Sequence, residues 1–357
     1  MRLIAGLRPI LLPLVLIGLA LSLFNLRVGD AMGEFEVARA AGRRALAGLP
    51  LYQDAAPLPA FTQLPAVAVA MAPLAVAGRD AARVAWFALS CACLVLLLRW
   101  SAVGLPARQW SARTLIFVAT VLLARFYIID LTLGQTDVLL ALLLLASLGA
   151  VQLEAATLAG VVLGLAVLFH PPALILLPWL TATAGTRAGA AGLAVLSAGL
   201  LLPAAVYGWA GNLAQLTAWW RQPVVMPVEV GNVSLAALWV GWVGAGSVAA
   251  ILAALTAMLL VAVTLTVWTQ RARVQDPEYL EFSLLLVLLP LLVSASPTHM
   301  LLLATPAVML VADRWRELLL PWRLATGGAV LLLWLVPTLA AIVIIATLAQ
   351  LRLRAHG

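Results

Sequence analysis

Run after run of apolar residues, each long enough to form a buried helix and almost free of charge, constrains this chain more than any other feature. Hydrophobic residues make up 65% of its 357 positions and charged residues only 10%. An ordinary soluble domain carries roughly 25% charge. A soluble fold would lack the polar surface to cover so much apolar mass. The sequence therefore excludes a soluble enzyme, a disordered tail and a nucleic-acid module. It predicts an all-α, polytopic integral membrane protein whose spans use most of the chain.

Apolar runs place about 11 spans near 9–26, 81–98, 114–129, 138–152, 157–169, 172–184, 189–206, 247–269, 281–295, 299–312 and 325–348. The first lacks a small-residue cleavage site and reads as a span, not a removable leader. The run Leu64–Ala77 is brief and holds Pro65 and Pro73. If it does not cross, a cytoplasmic N-terminus puts Arg2, Arg8, Arg99, Arg108, Arg113, Arg187, Arg271, Arg273, Arg314, Arg316 and Arg323 inside. Outside remain Arg221, Arg352 and Arg354, besides the long first loop. If it crossed, the later loops would flip against the positive-inside rule. Leu64–Ala77 is accordingly expected at the outer interface.

The chain reads as one transmembrane domain, 1–357, with a long outer loop at 27–80 and a second at 207–234. Within the first, Glu34 to Leu46 reads as an amphipathic interfacial helix stopped by Gly48. Its apolar positions are Phe35, Val37, Ala38, Ala41, Ala45 and Leu46; its polar ones are Glu36, Arg39, Arg43 and Arg44. The net charge of +7 comes from basic residues that are all arginine, 21 of them. In such a protein a basic balance fits loops facing anionic headgroups. Cys91 and Cys93 sit two apart on one predicted helix and point to different sides, so no disulfide is expected.

With this sidedness the polar residues at span ends gather on one face: Asp30, Glu34, Asp130, Gln135, Asp137, His170, Arg221, Glu229, Asn232, Ser296 and His299. Ionisable groups at a membrane edge are costly and suggest function. A transporter or flippase of lipid-linked sugar, the alternative reading, would need polar groups nearer the midplane and access from both sides. No His/Cys cluster or Asp-x-Asp pair suggests a metal, and no glycine-rich loop suggests a nucleotide.

Motifs in order carry a more specific resemblance. They are Glu34-Phe35-Glu36-Val37, Gly48 to Tyr52, Phe61-Thr62-Gln63-Leu64-Pro65, Gly134-Gln135-Thr136-Asp137, Gly160 to Gly164, Asn232-Val233-Ser234 and Ser296-Pro297-Thr298-His299. Together they resemble glycosyltransferase family 87 of the GT-C superfamily, polyprenyl-phosphate-mannose-dependent α-mannosyltransferases. Glu34 stands where that family usually has Asp, and His170 where it often has Lys. The resemblance implies an inverting single displacement at the extracytoplasmic face of the plasma membrane. A hexose, mannose first, passes from a polyprenyl phosphate to a glycolipid or glycan acceptor, with no cofactor. It implies Glu34 as catalytic base, with Asp30 in reserve. His299, His170, Gln135, Asp137, Arg221 and Asn232 are the expected substrate-binding residues. Bland readings stand beside these. Asp137 suits a helix N-terminus, Arg125 suits a pair with Asp130, Trp219 and Trp220 suit interfacial anchors, and Asn232 and Ser234 suit helix caps.

Overall fold

The computed structural model describes residues 18, 22–28, 31–52, 60–222, 231–273 and 276–354. Asp30 and most of the first expected span lie outside the described residues. In the first loop, α1 (Gly33–Leu46) forms as the periodicity predicts and ends before Gly48, whose φ is +65°. Leu64–Ala77 becomes two short helices, α2 (Pro65–Ala70) and α3 (Ala72–Val76). At 1.5 Å per residue neither approaches a bilayer core of about 30 Å. Both pack on α1, where Gly42 meets the Met71 backbone; an added Cβ would sit 3.0 Å from it. One expectation changes: Glu36 and Arg39 are buried, not part of a solvated face.

The bundle follows as α4 (Arg79–Val103), α5 (Ala112–Leu133), α6 (Asp137–Gln152), α7 (Ala156–Phe169), α8 (Leu176–Ala184), α9 (Thr186–Leu201) and α10 (Ala204–Trp220). Then come α11 (Leu235–Val243), α12 (Ser247–Thr269), α13 (Glu278–Leu292), α14 (Thr305–Asp313), α15 (Leu320–Leu332) and α16 (Pro337–Arg354). Short 3-10 turns, Pro171–Ile175 and Thr298–Ala304, precede α8 and α14. Peptide groups in lipid must bond within their own segment, so apolar runs close into helices. Among the described residues α4, α5 and α12 are long and apolar enough to cross a membrane; α9 and α10 would add a fourth only as a broken span bent by 89°. The expected count of 11 is not confirmed, because many of the apolar helices are short.

Helices α7 and α9 approach backbone to backbone, and small residues explain it. A Cβ on Gly160 would strike the Ala188 carbonyl, and one on Gly164 would sit 2.7 Å from the Gly192 carbonyl oxygen. Four-residue glycine spacing lets two backbones touch.

Hydrogen bonds sort the connections into two ends. Tyr279 Oη donates to Ser101 O (2.6 Å), and the Gln109 and Trp110 amides donate to the Asp313 carboxylate. Arg271 reaches Thr183 Oγ1 at 3.0 Å. At the opposite end Met32 and Phe35 of the first loop pack on Gly134, and Thr338 Oγ1 donates to Val233 O. The C-terminus is a correction. It was expected on the Arg221 side, yet Arg352 lies 3.7 Å from Glu281 Oε1, which Arg271 also approaches at 3.9 Å. The run 325–348 is not one helix. It breaks at 333–336, and α16 returns beside α15, with Thr326 and Thr347 hydroxyls 2.9 Å apart. That reversal carries Arg352 to the arginine-rich end.

Candidate active site

At the end opposite Arg271, Arg314 and Arg352, a cavity of about 60 Å3 opens between α1, the strip 60–63 and the loop 134–136. Its polar wall is Glu34, Thr62, Gln63, Gln135 and Thr136. Gly134 builds it. This residue ends α5 in the left-handed region (φ +70°, ψ 36°), where glycine carries no steric penalty. A Cβ there would fall 2.7 Å from Phe35 Cβ. Phe35 stacks on Trp86 at 5.5 Å, and Trp86 Nε1 donates to Gly134 O at 3.0 Å. This interlock sets Glu34, one residue before Phe35, beside Gln135, one residue after Gly134. Across the cavity Gln63 Nε2 donates to Thr136 Oγ1 (3.1 Å), and Tyr52 Oη donates to Gln63 O (2.7 Å).

Two acids on the first turn of α1 have opposite surroundings. Glu36 Oε1 accepts from Arg79 Nε at 2.9 Å and Arg83 Nε at 2.7 Å. Burial works to raise its pKa, but the hydrogen bonds and charges of the two arginines outweigh that and hold it below the ordinary carboxylate value. Glu34 keeps solvent access at the cavity yet has protein around it, and burial raises its pKa. Among the described residues no arginine pairs with it. The two carboxylates are thus pushed apart in pKa, one kept ionised by arginines and one raised by burial.

Beneath the cavity lies Asp137, at the head of α6 and near enough to Glu34 to feel its charge. His299 Nε2 stands 3.3 Å from Asp137 Oδ2, and its side chain is 1% exposed. The Thr298–Ala304 turn carrying it is held to α5 by Tyr127 Oη and Thr305 Oγ1, 2.7 Å apart. Asp130 neighbours Asp137 and is fully buried. Of the expected site residues, Glu34, Gln135, Asp137 and His299 therefore converge.

The others do not. Asn232 is a brace: its Nδ2 donates to Ser294 O (2.9 Å), and its Oδ1 accepts from the Ser234 and Ser296 amides. Ser234 caps α11, as expected, by accepting from the Ala237 amide. His170 ends α7 with its Nε2 buried, and it does not line the cavity. Arg221 is exposed at the end of α10. Arg125 donates to Trp334 O at 2.7 Å; it does not pair with Asp130. No group of three or more His, Cys, Asp or Glu side chains suited to a metal occurs among the described residues.

Sequence reading missed the Arg79–Arg83 grip on Glu36 and the Gln63–Thr136 bridge. The available signal for the first was two arginines one turn apart at the start of α4.

The sequence model of glycosyltransferase family 87 matches residues 61–295. The chain belongs to glycosyltransferase family 87. Comparison with curated proteins gave no match. The matched stretch includes Gln63, Gln135, Thr136 and Asp137, while Glu34 and His299 flank it. A family 87 glycosyltransferase needs a base for the acceptor hydroxyl and polar groups to orient a sugar. This cavity offers one accessible carboxylate and a ring of neutral donors and acceptors.

Proposed function

We propose that this glycosyltransferase moves a hexose, mannose by the family resemblance, from a polyprenyl phosphate to a hydroxyl of a glycolipid or glycan acceptor. The reaction faces the extracytoplasmic side of the plasma membrane. The observation that carries the reading is the contrast between Glu34, accessible and with no arginine partner among the described residues, and Glu36, clamped by two arginines. Glu34 takes the acceptor hydroxyl proton as that oxygen attacks the anomeric carbon. The bond from that carbon to the phosphate oxygen breaks, its electron pair stays on phosphate, and the configuration inverts. Gln63, Gln135 and Thr136 orient sugar hydroxyls. His299 stands 3.3 Å from Asp137, behind the lining residues, and supports the site from within the bundle. The donor arrives activated, so no cofactor is needed. Charge supports this sidedness: Arg271, Arg314 and Arg352 gather at the opposite end, and the positive-inside rule favours the cytoplasm for such an end. A carrier would need comparable groups along a path between both ends.

The test is transfer of radiolabelled mannose from polyprenyl phosphate to a membrane-lipid acceptor pool by purified protein in lipid. The parent should transfer label and Glu34→Gln should not, with equal expression. Equal transfer by the variant would remove Glu34 from the chemistry.

A further inference from the structure

Helix α10 is turned across the cavity end of the bundle. It leaves α9 at 89° and bends again at Gly208, where φ is +67° and ψ 175°. Along its length it is stitched to the first loop. Tyr207 Oη donates to Leu49 O (3.1 Å), Gln215 Oε1 accepts from the Leu51 amide (3.0 Å), and Trp219 Nε1 donates to Thr62 O (3.0 Å). Gln222, just beyond it, donates to Phe61 O (2.8 Å). Phe61 and Thr62 are walls of the cavity.

The polarity of α10 is inside out. Asn212 and Gln215, its amide residues, are buried against protein. Trp209, Leu213 and Trp220 form the outward stripe and are 73%, 65% and 79% exposed. No charge interrupts the helix until Arg221, which is exposed at the end nearest the cavity wall. A surface helix in water shows the reverse arrangement. An in-plane helix with its apolar side in acyl chains and a cation at phosphate level has this one.

We propose that α10 is the lip over which the donor's lipid reaches the site. The isoprenoid chain lies along Trp209, Leu213 and Trp220, a stripe of about 16 Å at 1.5 Å per residue. The phosphate is held at Arg221, and the sugar passes Phe61 and Thr62 into the cavity. The stripe supplies apolar contact, Arg221 supplies charge, and the bonds to Phe61 and Thr62 make the lip continuous with the cavity. This inference rests on a polyprenyl phosphate donor.

The experiment uses sugar-free photoreactive polyprenyl phosphate with the full-length protein in phosphatidylethanolamine–phosphatidylglycerol vesicles, followed by peptide mapping. Label should fall on residues 209–221 and be displaced by excess polyprenyl phosphate but not by extra phosphatidylglycerol. Equal displacement by phosphatidylglycerol, or label elsewhere, overturns the proposal and leaves α10 a bilayer anchor. A second arm compares donors of long and short chain in Trp209→Ser/Leu213→Ser. KM for the long-chain donor should rise about tenfold more than for the short-chain one, as expected when apolar contact is removed. An equal change for both donors would mean a structural role. Specific label without transfer from any sugar donor would sink the transfer reaction while the lip stands.

Discussion

At the scale of single residues, two glutamates separated by one position carry different loads. Glu34 must be deprotonated to accept a proton, and burial raises its pKa. The acid limb of kcat/KM against pH is therefore expected above the ordinary carboxylate range, with activity rising as pH climbs through it. A limb at or below that range would contradict the assignment. Glu36 behaves oppositely. Its folded-state pKa is lowered, so its ion pairs stabilise above the unfolded value and are lost as pH falls through the folded one. Glu36→Gln removes the charge that faces Arg79 and the buried Arg83 and should lower the unfolding temperature at neutral pH, with the loss shrinking as pH falls. Glu34, Gln135 and His299 were legible in the sequence because motif order marks them. The Glu36 pairs were not, since the partners lie 43 and 47 residues away and meet only after α1 docks on α4. Arg125 and Asp130 misled for the converse reason: five residues apart on one helix, they point to different neighbours.

At the scale of elements, glycines decide how closely parts approach. Gly164→Val should force α7 from α9, because the obstacles are the Gly192 carbonyl oxygen and the Cβ of Val195, neither of them the far end of a flexible side chain. Overpacking of this kind costs about 1–3 kcal/mol, measurable as reduced thermal stability in detergent. Unchanged stability would mean that the pair is looser than described. The short helices α2 and α3 were foreseeable from Pro65, Pro73 and a run too brief to cross. The α15–α16 hairpin was not, because apolar residues continue through the break. The local clue was Pro337, a residue well suited to a first helical turn.

At the scale of the whole molecule, the hairpin changes the topology. With Cys91 and Cys93 replaced, an impermeant maleimide should label Arg221→Cys from outside intact cells. A protease-sensitive tag on the C-terminus should be cut only after the membrane is opened. Cutting in intact cells would return the C-terminus to the side first read from the sequence. The arrangement also has a mechanical side. Backbone contacts lock α9 to α7, so the 16 residues of α9 set the height at which α10 can lie. That height is about 24 Å, against about 30 Å of hydrocarbon. A bilayer that meets α10 at that height thins around it, since the locked pair cannot stretch. Such hydrophobic mismatch costs fractions of a kcal/mol per ångström. In reconstituted membranes, transfer should fall as acyl chains lengthen and recover in thinner lipid, making membrane thickness itself a control on the enzyme.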